Sequence, residues 1–174
     1  MESPLIKHHI CIMKALRYLC ILALIVGAGL NTTFAQSTKK DKKAEKEAAI
    51  KKNVDDQNYT FTANYVLPQR GGGKQLAETY YDLKVSKDSV IAYLPYYGRA
   101  YFDVPYNGDM GMKFTSTKFS YNVKTKKNGW EITITPTDVR NIDRVMLNIS
   151  PDGYSTLSIN SVNRDFISYD GYLK

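Results

Sequence analysis

The sequence is nearly without cysteine and histidine, and both residue types lie close to its beginning. It has two cysteines, Cys11 and Cys20, and two histidines, His8 and His9. A chain that starts near Gln36 carries no thiol and no imidazole, the groups that most often act as nucleophiles, general bases and transition-metal ligands. It also has no cysteine pair for a disulfide, so its stability has to come from its core. We expect no catalytic residue, no metal site and no cofactor.

Paired carboxylates are the remaining route to catalysis in such a chain. Asp103, Asp109 and Glu131 are the nearest candidates, and a hydrolase would need two of them about 5–10 Å apart. Most of these acidic residues fall at turns, where aspartate has ordinary structural uses. We therefore predict that the protein is not an enzyme.

The residues before Gln36 have the pattern of an export signal. Two basic residues precede an apolar run over 18–30, and small residues precede Gln36. The run is shorter than the about 20 apolar residues that a spanning helix needs. We predict a signal peptide over 1–35, with Met13 as an alternative start, and a periplasmic or secreted protein whose mature chain has no transmembrane segment. A lipoprotein signal at Cys20 and an uncleaved anchor are the alternatives.

The charge of the chain is modest where we expect the folded domain. The formal net charge of the whole sequence is +7, but residues 59–174 carry 14 Lys and Arg against 11 Asp and Glu. This mixture differs from the concentrated basic stripe of a nucleic-acid binder. We exclude nucleic acid as a partner and expect a monomer.

The hydrophobic period of the sequence changes near residue 59. Residues 36–58 are rich in Lys, Glu and Ala, which predicts a charged helical lead-in. From Tyr59 onward, apolar and polar residues alternate in short runs separated by turn signals. We predict a mainly β domain over 59–174, an antiparallel sandwich or barrel of about eight short strands preceded by one helix.

Three turns indicate how neighbouring strands pair. Ser86-Lys87-Asp88 predicts one hairpin and Pro151-Asp152-Gly153 another. Asn128-Gly129 predicts a two-residue type I′ turn, which places Lys126 opposite Glu131 and Val123 opposite Ile134. This register puts charged pairs on one face of the hairpin and apolar pairs on the other.

A tyrosine-rich segment contains a short internal repeat. Leu94-Pro95-Tyr96-Tyr97-Gly98 is followed ten residues later by Val104-Pro105-Tyr106-Asn107-Gly108. Both copies fit a four-residue turn, and they predict a three-stranded meander over 89–115. Tyrosine rings can be half-buried strand residues, or they can stack on sugars and apolar ligands beside an arginine that holds an anionic group. The candidate ligand-binding residues are Tyr96, Tyr97, Arg99, Tyr101 and Tyr106.

The chain resembles an exported bacterial family known as domain of unknown function 4251. The resemblance lies in Pro68, the glycine run 71–73, Tyr81-x-Leu83-x-Val85, Asp88-x-Val90, the stretch 93–101, and residues 111–114 and 167–171. It covers most of 45–174, and residues 94–101 are its most specific part. It implies a signal peptide, a mainly β domain and an envelope or secreted location, and it supplies no activity, cofactor or catalytic residue.

Two classes of function agree with these features. The first is an exported cell-envelope binding module for a lipid-like or glycan-type small ligand, with the tyrosine-rich region as its site. The second is a non-catalytic envelope domain that is structural or that binds another envelope protein.

Overall fold

The structure, a computed structural model, describes residues 32–78, 80–102 and 111–174, with side chains from residue 40 onward. By its internal contacts the chain divides into two units, Met1–Ala44 and Glu45–Lys174. The second unit contains every described strand and the end of the helix. The predicted signal peptide lies almost entirely outside the described residues. Within the described part of the chain, no helix combines the length and the apolar character needed to cross a membrane.

The predicted mainly β fold with one preceding helix is confirmed. Helix α1 is Thr32–Asp55, so it begins before the predicted lead-in over 36–58 and ends slightly earlier. The strands that follow are β1 Tyr59–Pro68, β2 Lys74–Gln75, β3 Asp82–Val85, β4 Val90–Leu94, β5 Met112–Ser116, β6 Phe119–Lys126, β7 Gly129–Pro136, β8 Ile142–Ile149, β9 Tyr154–Ser161 and β10 Ile167–Leu173.

These strands form one antiparallel, nearly closed barrel-like sheet. Its order is β5-β4-β3-β1-β10-β9-β8-β7-β6, with the short β2 paired to β1 beside this path. Strands β1 and β10 pair although they are distant in sequence, with Phe61 opposite Leu173. Of the two alternatives predicted, the barrel is the better description.

Large side chains fill the interior of the sheet. Apolar residues alternate along each long strand, as in β7, where Ile132 and Ile134 are fully buried. The largest fully buried side chains are those of Tyr169, Phe61, Leu83, Leu94, Ile132, Ile134, Leu147, Leu157, Ile159, Ile167, Val54 and Val66. A ligand could enter the interior of the sheet only by displacing these side chains, because protein cores are close-packed.

The end of α1 packs on the domain. Residues 40–49 of the helix are exposed, whereas Ile50 and Val54 are buried in the common core. The Tyr121 hydroxyl donates to the Val54 carbonyl over 3.3 Å and lies 3.1 Å from the Tyr59 hydroxyl. The Val54 carbonyl, at the end of the helix, thus accepts both the Gln57 amide and the Tyr121 hydroxyl.

The two edge strands, β5 and β6, are joined by the turn Thr117-Lys118. The Asp138 carboxylate accepts the backbone N–H groups of both turn residues, at 2.8 and 3.1 Å, and the Ser116 hydroxyl at 2.5 Å. These hydrogen bonds lower the pKa of Asp138 to about 2. The ionised Asp138 carboxylate therefore stabilises the turn that connects the two edge strands.

The hairpins at 86–89 and 150–153 form as predicted, but the register of the third hairpin was wrong. Lys126 pairs with Gly129 and Val123 with Ile132, so the observed register differs from the predicted one by two residues. Gln57 is the described non-glycine residue with a positive φ, so Asn128 does not adopt the conformation of a type I′ turn. The faces of the hairpin stay as predicted, because a shift of two residues preserves side-chain alternation.

The predicted meander over 89–115 was also wrong. Strand β4 pairs directly with β5, placing Val90 opposite Ser116. Residues 95–102 follow β4 outside the named strands, and Ala100 forms an isolated antiparallel bridge with Arg164. The second Pro-Tyr copy, at 104–108, lies outside the described residues.

Candidate functional site

The structure separates the predicted ligand-binding residues into a buried one and exposed ones. The Tyr96 side chain is 7% exposed, whereas Tyr97 is 42% and Tyr101 60% exposed, and Arg99 is also exposed. Tyr106, the fifth predicted residue, lies outside the described residues. Tyr96 and Tyr97, which follow β4, therefore differ in burial although they are adjacent in sequence.

Tyr96 has a structural environment. Its hydroxyl lies 2.8 Å from the Arg99 carbonyl and 3.1 Å from the Asp165 carbonyl, and it donates to them. The Arg164 guanidinium lies over its ring, 5.2 Å from the centroid. A Cβ atom at Gly98 would collide with the Tyr96 hydroxyl, so glycine is required for the chain to pass this close. Tyr96 therefore fastens the tyrosine-rich segment to the loop before β10.

Tyr101 contacts a buried carboxylate, that of Asp165, which the sequence analysis did not identify as a candidate. The Tyr101 hydroxyl donates to Oδ1 of Asp165, and the Tyr101 amide donates to the Asn163 carbonyl over 2.9 Å. This hydrogen bond to the carboxylate raises the pKa of Tyr101, and burial adds to the effect. The tyrosine ring thus stays exposed while its hydroxyl is held in one place.

The second oxygen of Asp165 is the unusual atom of this region. The Asp165 side chain is 6% exposed. Its Oδ2 has no hydrogen-bond partner among the described residues. A buried carboxylate oxygen without a donor is costly, and such groups in native structures call for an explanation such as a ligand or water.

Arg70 is the cation nearest to that oxygen. Its Nε lies 3.8 Å from Asp165 Oδ2, which is an ion pair but too long for a hydrogen bond. Arg70 belongs to a glycine loop, residues 69–73, and its side chain is 60% exposed. Gly71 in this loop has a φ of +92°, a conformation that glycine adopts freely.

We name the group formed by Arg70, Arg99, Tyr101 and Asp165 the Asp165 site. The positive charges of both arginines oppose the rise in the pKa of Tyr101 without cancelling it. The site thus combines a carboxylate oxygen that has no hydrogen-bond donor among the described residues, a fixed tyrosine and two exposed cations. Such a set can accept a hydrogen bond from a ligand hydroxyl, stack on an apolar ring face and hold an anionic group.

The glycine loop also reaches Tyr97 through the residue that follows it. Lys74, at the start of β2, places its Nζ 4.7 Å from the centroid of the Tyr97 ring. The loop and the tyrosine-rich segment therefore meet at two points, Arg70 with the Asp165 site and Lys74 with Tyr97.

Concave regions elsewhere are less suited to a ligand. One beside the β6–β7 turn, lined in part by Trp130, Ile149 and Tyr154, has a volume of only about 210 Å³. A cleft of about 140 Å³ beside β5 is lined in part by Phe114, Arg140 and Arg164, but it is smaller than the about 300–1,000 Å³ typical of ligand pockets. A depression of about 530 Å³ is lined by polar residues at 56–58 and 86–87, whereas ligand pockets are mostly apolar.

Asp165 could not be recognised from the sequence, because it stands alone in Asn163-Arg164-Asp165 with no acidic or histidine neighbour. The available signal was indirect. The glycine run 71–73 and the stretch 93–101 carried the family resemblance, and these two segments border Asp165 in the fold.

Glu131, one of the acidic residues considered for catalysis, is used structurally. It forms an ion pair with Lys126 across the β6–β7 hairpin, which lowers the pKa of Glu131. The other two, Asp103 and Asp109, lie outside the described residues. No group of three or more His, Cys, Asp or Glu side chains that could hold a metal ion occurs within the part of the chain described.

The comparisons with known proteins agree with the fold. Among solved structures, the chain is similar to the crystal structure of a DUF4251 family protein from Bacteroides eggerthii DSM 20697. The two are 17% identical, the match covers 75% of this chain and 86% of that one, and the TM-score is 0.51. No curated protein matches the chain. The sequence profile of the domain of unknown function DUF4251 matches residues 41–173, and the chain therefore belongs to this family.

Proposed function

We propose that this protein is an exported cell-envelope binding module for a glycan-type ligand, which it binds at the Asp165 site. The observation that carries the proposal is the buried Oδ2 atom of Asp165, which has no donor among the described residues. A sugar hydroxyl is a donor of the required kind, and the exposed ring of Tyr101 offers an apolar face beside it.

The filled interior favours a glycan over a lipid-like ligand. A lipid tail would need a cavity inside the sheet, where Leu94, Ile134 and Tyr169 are each fully buried. A glycan can lie on exposed tyrosine rings without displacing any of them. The binding proposed therefore takes place on the surface of the domain, outside the barrel-like sheet.

The experiment compares the wild type with Asp165→Asn in titrations with defined oligosaccharides. The panel contains maltohexaose, N-acetylchitohexaose and hexagalacturonate. Asparagine keeps the size of the side chain and can still accept from Tyr101, but it offers an N–H group where Oδ2 was an acceptor. We expect at least one glycan to bind the wild type and to lose about 10- to 100-fold in affinity, as for a hydrogen bond to a charged group.

Asp143→Asn is the matched control, because Asp143 is an exposed carboxylate on β8. It should bind like the wild type, and thermal unfolding should show that both variants are folded. Absence of binding to every glycan of the panel would refute the proposal, as would equal losses in the two variants.

The envelope location has its own test. If residues 1–35 are a signal peptide, the protein recovered from the periplasm of a Gram-negative host will begin near Gln36, and mass spectrometry will give that N-terminus. Recovery of the uncleaved chain from the cytoplasm would contradict this part of the proposal and leave the ligand question open to the titrations.

A further inference from the structure

Strand β6 lies at one edge of the sheet, and among the described strands it pairs only with β7. The pairing runs along all eight residues of β6 without a bulge, and the strand contains no proline. The side of β6 that faces away from β7 therefore presents a long, regular row of backbone N–H and C=O groups. Such a row can accept an additional strand by hydrogen bonding. We name this side of the strand the β6 edge.

The other edge strand, β5, is less suited to receive a partner. It has five residues, and residues 111–114 line the same small cleft as residues 139–142. The Arg164 guanidinium also donates to the Gly111 carbonyl, just before β5, over 3.2 Å. A short strand with other chain segments beside it offers less room for an added strand than β6 does.

The exposure of β6 shows that the core stops short of this strand. Val123 lies opposite Ile132, and Thr125 lies opposite Trp130. Directly opposite residues share a face of the sheet, so all four belong to its inner face. Val123 is nevertheless 38% exposed and Thr125 is exposed, whereas Ile132 and Trp130 are buried. An apolar side chain from an added strand would cover Val123 and remove apolar surface from water.

The outer face of β6 carries positive charge. Lys124 and Lys126 lie on this face, Lys127 follows in the turn, and all three are exposed. Lys126 pairs with Glu131 of β7, so three lysines against one glutamate give these four residues a net charge of +2. No acidic residue occurs in β6 itself. Lysine on an edge strand opposes pairing with a second copy, which would bring its own lysines, but it favours an acidic partner.

We propose that the β6 edge binds an extended segment of another protein, in which apolar and acidic residues alternate. The segment adds to the sheet beside β6 through backbone hydrogen bonds. Its apolar side chains lie on the inner face over Val123, and its acidic side chains lie on the outer face beside Lys124 and Lys127. This interaction does not depend on the proposed function, because no residue of the Asp165 site belongs to β6 or β7.

Two octapeptides test the proposal, since their length matches that of β6. In one peptide glutamate and valine alternate, and in the other lysine replaces every glutamate. Fluorescence anisotropy measures the affinity of each labelled peptide for the purified protein. We expect the acidic peptide to bind at least tenfold more tightly than the basic one, and its affinity to fall as salt is added.

Hydrogen exchange locates the bound peptide on the protein. With the acidic peptide present, amide exchange should slow in residues 119–126, because their free edge then becomes hydrogen-bonded. Residues 112–116 of β5 should exchange as in the free protein. Slower exchange in β5 instead of β6, or unchanged exchange in both strands, would overturn the proposal.

A pair of charge-reversal variants tests the role of the lysines. Lys124→Glu with Lys127→Glu should weaken binding of the acidic peptide at least tenfold, because like charges then face each other. Lys42→Glu with Lys43→Glu, on the exposed part of α1, is the matched control and should bind like the wild type. Equal losses in the two variants would contradict a specific contact at β6.

A second pair of variants tests the apolar contact on the inner face. Val123→Ser should weaken binding of the acidic peptide about three- to tenfold, since less apolar surface is then covered. Val162→Ser, at an exposed valine outside β6, should leave the affinity unchanged. Thermal unfolding of every variant shows whether it is folded.

Two further results would overturn the proposal. One is equal affinity for the acidic and the basic peptide, or no binding of either at millimolar concentration. The other is a dimer of the wild-type protein in sedimentation experiments that Val123→Ser dissociates, because a second copy would then occupy the β6 edge.

Discussion

Tyr96 and Tyr97 are neighbours in sequence and opposites in structure. Tyr96 is buried, with its hydroxyl near two backbone carbonyls and an arginine over its ring. Tyr97 is 42% exposed, and its described partner is Lys74 at the start of β2. The same residue type therefore serves the core at one position and a surface at the next. Composition alone cannot assign the many tyrosines of this chain to one role.

The largest expected difference between the two is in stability. Tyr96→Ala removes a buried ring and the hydroxyl that donates to the Arg99 and Asp165 carbonyls, so we expect a loss of about 3–5 kcal/mol in the free energy of unfolding. Tyr97→Ala should change it by less than about 0.5 kcal/mol. Urea denaturation of both variants measures the difference, and similar losses would mean that the two tyrosines have one role.

High pH should reduce the contribution of the buried tyrosines to the stability of the fold. Burial raises the pKa of Tyr59 and of Tyr169 far above the ordinary value of 10.0, so each stays neutral in the folded state after its unfolded counterpart has ionised. Their contribution to stability is therefore complete below about pH 10 and is lost as the pH rises beyond it. Urea midpoints should fall between pH 9 and pH 11.

Tyr169→Phe should reduce this fall, since phenylalanine does not ionise. A midpoint that stays constant up to pH 11 would show that these hydroxyls are not buried as described.

A smaller change separates the ring of Tyr96 from its hydroxyl. Tyr96→Phe keeps the buried ring but removes the hydrogen bonds to the Arg99 and Asp165 carbonyls. We expect a loss of about 1–2 kcal/mol, well below that of the alanine variant. Calorimetry can compare the two, and a phenylalanine variant as stable as the wild type would reduce the role of Tyr96 to packing.

The smallest effect on stability is expected at Asp138, the exposed carboxylate that binds the turn between β5 and β6. Its carboxyl has a pKa of about 2 against an ordinary 3.8. The stability that it contributes is present above about pH 4 and is lost as the pH falls through 2. Asp138→Asn should lower the melting temperature at neutral pH by a few degrees, and this difference should shrink near pH 2. A difference that is the same at both pH values would contradict the role of the charge.

Local patterns predicted most of the fold. Alternation and turn residues placed the β3–β4 and β8–β9 hairpins and the faces of the β6–β7 hairpin. The exact turn at Lys127-Asn128 was missed, because the conformation of Asn128 depends on the whole hairpin rather than on the Asn-Gly pair.

The features that sequence patterns did not predict depend on contacts between residues that are distant in the sequence. The path of residues 95–102 is set by hydrogen bonds to 163–165, as when the Asp165 amide donates to the Arg99 carbonyl over 3.0 Å. For the same reason the analysis found Tyr101 and Arg99 but missed Asp165 and Arg70. These two meet only because the end of β1 pairs with the start of β10, where Pro68 lies opposite Ile167.

The pairing of β1 with β10 has a consequence for the order of events in synthesis. Strand β1 is made early, but one of its two long neighbours, residues 167–173, is made about a hundred residues later. Until residues 167–173 have been synthesised, β1 and β9 lack the strand that lies between them in the sheet. Contacts that join distant parts of a sequence also form slowly. The sheet of this domain can therefore be completed only after its last strand has been synthesised.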